Sequence, residues 1–171
     1  MAENVKGFLV DGRFLLGMEQ GISSTYLFLD PQLDPVLVGY VTLAFDSVRL
    51  TNAEKRQMDE LFGIAKFGAL RIQMIGIDHR HQGLGYGTDL LRAVTGLARK
   101  LSSDVALRFV LADANVRKIK WYEAEGFVAN RAERERNRTD PERSVSMRLD
   151  LLDALVDPES EDRALLVAAL E

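Results

Sequence analysis

Six consecutive residues, Gln82-Gly83-Leu84-Gly85-Tyr86-Gly87, place three glycines between an apolar run and a helical pattern. Arg71-Ile72-Gln73-Met74-Ile75-Gly76-Ile77 comes before them, and Thr88 to Leu101 follows. A strand, a glycine-rich turn and a helix N-terminus make a cradle for an anion such as phosphate. Glycine lets the backbone bend sharply and approach a ligand. The first N–H groups of a helix lack internal partners, and the dipole there favours negative charge. A turn without a ligand is the plain alternative for this stretch alone. His79 and His81 flank the cradle, but no carboxylate cluster supports them as metal ligands. They read as exposed loop residues, and no metal site is expected.

Template comparison narrows the ligand. A P-loop needs Gly-Lys-Ser/Thr at its end, and this stretch has none. The dinucleotide fingerprint G-x-G-x-x-G fails in both registers, since its third glycine falls on Thr88 or Leu90. The pattern Gln/Arg-x-x-Gly-x-Gly/Ala fits Gln82, Gly85 and Gly87, and a second register fits Arg80, Gly83 and Gly85. The first register is preferred because it starts the helix at Thr88. This motif resembles the coenzyme A pyrophosphate loop of the GNAT superfamily of acyl-CoA-dependent N-acyltransferases. A second stretch, Asn115 to Phe127, resembles the family signature N-x-x-A-x-x-h-Y-x-x-x-G-F, where h is apolar. Asn115, Trp121, Tyr122, Gly126 and Phe127 match, while Lys118 replaces the expected small residue. Ile75-Gly76-Ile77-Asp78 also resembles the strand before the family's loop. Two ordered signatures across one βαβ unit are far more specific than either alone.

The resemblance implies an α/β fold with a central mixed sheet splayed between two parallel strands, Leu70–Asp78 and Val105–Ala112, with helices on both faces. It implies that the pantetheine arm of acetyl-CoA bonds to backbone groups at Ile75, Gly76 and Ile77. The pyrophosphate would rest on N–H groups from Gly83 through Leu84, Gly85, Tyr86 and Gly87 to Thr88, with Gln82 opening the motif. Because the backbone does the binding, the Leu84 and Tyr86 side chains read as loop filler. Tyr122 is implied as the donor to the departing CoA thiolate, against packing beside Trp121 as the alternative. Asn115 is a cofactor-site candidate whose simpler role is a helix cap. No general base stands out among Asp78, Asp113, Glu125 and water.

These groups need elements to position them. Thr25 to Leu29 and Val36 to Phe45 are rich in β-formers and read as an antiparallel hairpin around Asp30-Pro31 and Asp34-Pro35. Thr51 or Asn52 would cap a helix from about Ala53 to Ala65, with Met58, Leu61, Phe62 and Ala65 on its packing face. Leu70 to Asp78 is a buried strand, where Gly76 marks a bulge, a close backbone approach or a packed-over position. Leu90, Leu91, Val94, Leu97, Ala98 and Leu101 form a helical stripe leading to the next parallel strand by a right-handed crossover. The helix after Asn115 should stop at Gly126 in the C′ position. Phe127 to Ala129 begins a strand, Arg131 to Arg143 reads as a solvated loop, and Ser144 to Leu151 is a strand with Val145, Met147 and Leu149 on one face. The first 24 residues fit either short helices or a hairpin around Asp11-Gly12. Leu165, Leu166, Val167, Ala169 and Leu170 suggest a final helix within 158–171, able to dock on the domain or on a second copy.

Composition sets the outer bounds. A chain of 171 residues with 47% hydrophobic residues suits a single domain over 1–171. The absence of cysteine excludes disulfides, thiolate metal sites and a cysteinyl acyl-enzyme. No signal peptide or bilayer-spanning run is visible, so a cytoplasmic protein with no membrane partner is expected. The net charge of −4 argues against a general nucleic-acid binder. The expectation is therefore an N-acetyltransferase that passes acetyl from acetyl-CoA directly to a primary amine, on a small molecule, a peptide N-terminus or a lysine, with a homodimer as a further option. Two alternatives stand beside it. One is a non-catalytic acyl-CoA-binding regulatory module. The other is a toxin-type enzyme acting on aminoacyl-tRNA, since that branch of the family shares a Gly-Tyr-x-x-Leu strand like Gly39 to Leu43. Arginines at 131, 134, 136, 138 and 143 could give such an enzyme a local basic patch.

Overall fold

The computed structural model describes residues 12–30, 36–57, 63–64, 66–132, 144–153 and 165–168. Its elements are α1 (Arg13–Glu19), β1 (Ser24–Asp30), β2 (Val36–Val48), α2 (Asn52–Arg56), β3 (Phe67–Ile77), α3 (Tyr86–Ser102), β4 (Phe109–Ala114), α4 (Ile119–Ala124), β5 (Val128–Ala129), β6 (Val145–Asp150) and β7 (Leu165–Ala168). Short 3-10 turns occupy His79–His81 and Val116–Lys118. The strands form a mixed sheet in the order β5-β6-β4-β3-β2-β1-β7, with β3 and β4 parallel. This is the mixed α/β class expected from the sequence. The chain makes two compact units: Met1–Ala44 with Ile72–Gly96 and Val156–Glu171, and Phe45–Arg71 with Leu97–Leu155.

In the first unit, β1 and β2 form the expected antiparallel hairpin; its turn residues 31–35 lie outside the described residues. Phe28 faces Gly39 while Leu29 faces Leu37, so Val38 is an extra residue on β2. Such a bulge bends its strand and frees a backbone group. The Val38 carbonyl accepts from the Asp78 N–H at 2.8 Å, just past the end of β3. A Cβ at Gly39 would lie 2.5 Å from the Gly76 carbonyl oxygen and 2.6 Å from the Ile77 side chain. The close approach read at Gly76 is thus made by a pair of glycines, and the bulge sits on the neighbouring strand. Phe28, Val38, Tyr40, Val41 and Leu43 are buried, as are Leu90, Leu91 and Val94 of the α3 stripe.

The ambiguous N-terminal stretch contains a helix, α1, entered through Gly12 at φ 65°; Asp11 lies outside the described residues. The final helix expected within 158–171 is corrected over 165–168. These residues are β7, antiparallel to β1, with Leu29 opposite Leu165 and Tyr26 opposite Ala168. A short apolar run does not distinguish helix from strand, and the outer edge of β1 offers unpaired backbone groups. The homodimer expectation had rested on that docking helix.

In the second unit, Thr51 caps α2 through a capping box: its hydroxyl accepts from the Glu54 N–H, and Glu54 accepts from the Thr51 N–H at 2.7 Å. The helix is shorter than expected and closes at Arg56 with Gln57 as its C-cap. Met58, Leu61, Phe62 and Ala65 lie outside the described residues. Val48, Leu50, Phe67, Ala69, Phe109 and Leu111 form a core cluster, with the Phe67 and Phe109 rings edge-to-face at 5.8 Å. The strand expected from Val105 begins at Phe109 instead. Residues 105–108 pass so close to β3 that a Cβ at Gly68 would lie 2.0 Å from the Ala106 carbonyl oxygen, and Arg108 N–H bonds the Gly68 carbonyl at 2.9 Å.

β6 places Met147 and Leu149 on one face as expected, but its other face is buried too. There Arg148 pairs with Glu54 at 2.8 Å, and Asp150 accepts a two-pronged set of bonds from Arg108. The expected loop at 131–143 lies outside the described residues beyond Ala132.

Candidate active site

Residues Ile75 to Thr88 sit together in the first unit. Ile75, Gly76 and Ile77 finish β3, and the 3-10 turn His79–His81 leads into the glycine stretch. Asp78 caps that turn, accepting from the Arg80 N–H at 2.9 Å. Gly83 and Gly85 adopt φ of 81° and 93°, which a residue with a side chain rarely adopts. A Cβ on either would meet nothing within 4 Å. The backbone conformation, not crowding, therefore calls for glycine, and the space above both is open. Leu84 is 67% exposed, as a variable loop side chain should be.

Two expectations for this stretch need correction, the helix start and the role of the Tyr86 side chain. The helix begins at Tyr86, not Thr88, so Gly87 and Thr88 lie inside it. Its first carbonyl is that of Gly85, which accepts from Thr88 at 2.8 Å and Asp89 at 3.2 Å. The left-handed turn at Gly85 fixes the start, and Asp89 in the first turn suits the dipole. Gln82 turns inward: its amide donates to the Ile77 carbonyl at 2.9 Å and closes the loop onto β3. Tyr86 is not filler. Its hydroxyl donates to the Asp30 carboxylate, and its ring meets Phe28 edge-on at 6.1 Å and His81 at 5.9 Å. The Asp30 bond is the main reason its phenol is shifted upward.

Asn115 and Tyr122 belong to the second unit. Asn115 caps the Val116–Lys118 turn, its side-chain oxygen accepting from Arg117 N–H at 3.0 Å. Lys118, the departure from the signature, is the exposed residue joining this turn to α4. Helix α4 ends in a Schellman motif. Phe127 N–H bonds the Tyr122 carbonyl and Gly126 N–H the Glu123 carbonyl, both at 3.0 Å, with Gly126 at φ 87°. That closure fixes the Tyr122 backbone and brings Phe127 against it. The Tyr122 ring is buried between Trp121 at 4.6 Å and Phe127 at 5.2 Å. Burial, helped by the negative charge of Asp113, pushes its phenol up to about 12. Tyr122 therefore keeps its proton well above neutral pH.

The candidate bases differ in environment. Asp78 is held well below the usual carboxylate range, chiefly by its side-chain bond to Arg80, which makes it a weak proton acceptor. Asp113 is ion-paired with Arg71 at 2.8 Å, and Arg71 also bonds Asp46. Glu125 is the C-cap of α4. Asp30, Phe28 and Arg71 were invisible as site residues in the sequence, because each acts through a partner distant along the chain, whereas Arg80 acts on Asp78 two residues away. Among the described residues no group of three His, Cys, Asp or Glu side chains could hold a metal.

Comparison with known proteins places these features in a wider set. The profile of the acetyltransferase (GNAT) family matches residues 15–127. No curated protein matches the chain. Among solved structures, a mutant of KacT has a TM-score of 0.70 at 18% identity, covering 88% of this chain and 83% of its own. A mutant of the AtaT toxin bound to the C-terminus of the antitoxin AtaR and acetyl-CoA has a TM-score of 0.64 at 15% identity, covering 88% and 81%. AtaT complexed with acetyl-methionyl-tRNAfMet has a TM-score of 0.67 at 16% identity, covering 84% and 81%. At such identities these structures establish a shared fold.

Proposed function

The chain belongs to the acetyltransferase (GNAT) family, and from that premise we propose that it transfers an acetyl group from acetyl-CoA directly to a primary amine in a ternary complex. The observation that carries this reading is the loop in which Gly83 and Gly85 take positive φ beneath open space, at the start of α3. Backbone N–H groups at Gly85, Tyr86 and Gly87 would hold the pyrophosphate, with Gly83 and Leu84 completing the cradle and Gln82 bracing it, while the Thr88 N–H is already taken by the Gly85 carbonyl. Ile75, Gly76 and Ile77 would offer backbone groups to the extended pantetheine arm. In this reading residues 1–171 act as one catalytic domain.

The reaction has three proton and charge requirements. The acceptor ammonium must lose a proton before its nitrogen attacks the thioester carbonyl. The oxyanion that forms takes a hydrogen bond from a backbone N–H of β3. As the C–N bond forms and the C–S bond breaks, the CoA thiolate takes the proton of Tyr122, and the proton shed by the new amide nitrogen passes to solvent, which reprotonates the tyrosinate. A phenol raised to about 12 remains loaded for that step. Water receives the ammonium proton, since Arg80 makes Asp78 a poor base and Arg71 pairs with Asp113.

Among acceptors, an aminoacyl-tRNA is the second reading. It is favoured by the AtaT complex with acetyl-methionyl-tRNAfMet and by the Gly39-Tyr40-Val41-Thr42-Leu43 strand. The chain would then act in the cytoplasm beside an antitoxin partner. A panel of small amines, peptides and aminoacyl-tRNAs, read by CoA release, tests both readings. Release with one acceptor class identifies the substrate. CoA binding with no release across the panel would favour the non-catalytic module. Light scattering of the same sample tests the homodimer.

A further inference from the structure

Resting on the reading that the glycine loop holds the acetyl-CoA pyrophosphate, we propose that Tyr86 and Asp30 are positioning residues forming a latch that holds this loop in its ligand-ready shape. Tyr86 is the first residue of α3 and directly follows Gly85 at φ 93°. Its side chain leaves the loop and reaches two separate supports. The hydroxyl donates to the Asp30 carboxylate at the end of β1, and the ring packs edge-on against Phe28 of that strand. On its other side the ring meets His81, in the turn that precedes the glycines. One side chain therefore ties the helix end of the loop both to the sheet and to the loop's own entry.

The anchor is firm. β1 pairs with β2 along one edge and with β7 along the other, and Asp30 itself is paired with Val36. The loop needs such an anchor because its glycines give the unbound chain many conformations. Ordering a residue costs conformational entropy, and glycine loses the most. A loop fixed during folding does not pay that cost again when ligand arrives. A phenol donating to a carboxylate is a charge-assisted bond, the stronger kind. The hydroxyl proton is committed to Asp30, so Tyr86 acts on the ligand through the backbone it holds and not by touching phosphate.

The test uses the full chain, calorimetry and two ligands: CoA, and acetyl-pantetheine, which lacks the pyrophosphate. Tyr86→Phe keeps both ring contacts and removes only the hydroxyl, while Asp30→Asn removes the charge. Each variant should weaken CoA binding about tenfold. The double variant should be no weaker than the weaker single one, and acetyl-pantetheine affinity should stay unchanged throughout. Additive losses, an equal loss for acetyl-pantetheine, or unaltered CoA affinity in both variants would overturn the latch while leaving the cradle reading intact. Failure of the folded wild-type protein to bind CoA would overturn the cradle reading and the latch with it.

Discussion

Gly85 and Tyr122 give the sharpest predictions at the scale of single residues. Gly85 holds φ 93° with open space above it. Gly85→Val would strain the backbone and place a branched side chain where the pyrophosphate must lie. CoA affinity measured by calorimetry should fall below detection in a variant that still folds; unchanged affinity would remove the cradle assignment. Tyr122→Phe keeps the ring between Trp121 and Phe127 but deletes the donor. Turnover should fall about 10²-fold with CoA affinity retained, and a normal rate would return Tyr122 to a packing role. The glycine turn and the stop of α4 at Gly126 were legible in the sequence because backbone conformation and an ordered signature are local properties. Tyr86 was misread because its partners, Asp30 and Phe28, lie more than fifty positions away. No spacing rule reports such a contact.

At the scale of elements, two glycines and one ion pair carry testable weight. A methyl at Gly39 would press on the Gly76 carbonyl at 2.5 Å. Gly39→Ala should cost about 1–3 kcal/mol, seen as a lower Tm, and should weaken CoA binding by shifting the end of β3. The Glu54–Arg148 pair is almost fully buried, the two side chains being 3% and 7% exposed. Glu54→Gln leaves the Arg148 charge uncompensated and should cost about 3 kcal/mol, or about 6–12 °C in Tm for a chain of this size. Burial alone would raise the Glu54 carboxyl, but hydrogen bonds from Thr51 and the charge of Arg148 outweigh it and hold it low. A carboxylate lowered in the fold stabilises above its unfolded pKa, and that contribution is lost as pH falls through the folded one. Wild-type Tm should therefore drop faster than that of Glu54→Gln below about pH 4.

Periodicity found most of these elements, with α3 and the β1–β2 hairpin the clearest. It placed the β4 start too early because the apolar residues at 105–107 read like strand, although Gly68 crowds the chain there. It missed β7 because Leu165–Ala168 is too short to show a period, and only the edge of β1 decides its state.

At the scale of the whole molecule, the family match over residues 15–127 makes this chain an acetyltransferase. The net charge of −4 is poor for a general nucleic-acid surface. If an aminoacyl-tRNA is the acceptor, its KM should rise steeply with salt through the released counterions, whereas a small neutral-bodied amine should show little change. The Gln82–Thr88 loop should bind acetyl-CoA. The most direct measurement is a calorimetric titration of the purified protein with acetyl-CoA, beside NADH and ATP. Selective binding near micromolar, about −8 kcal/mol, is the expected result, and it should vanish in Gly85→Val. A well-folded protein that takes up no acetyl-CoA, or binds the three nucleotides alike, would contradict it.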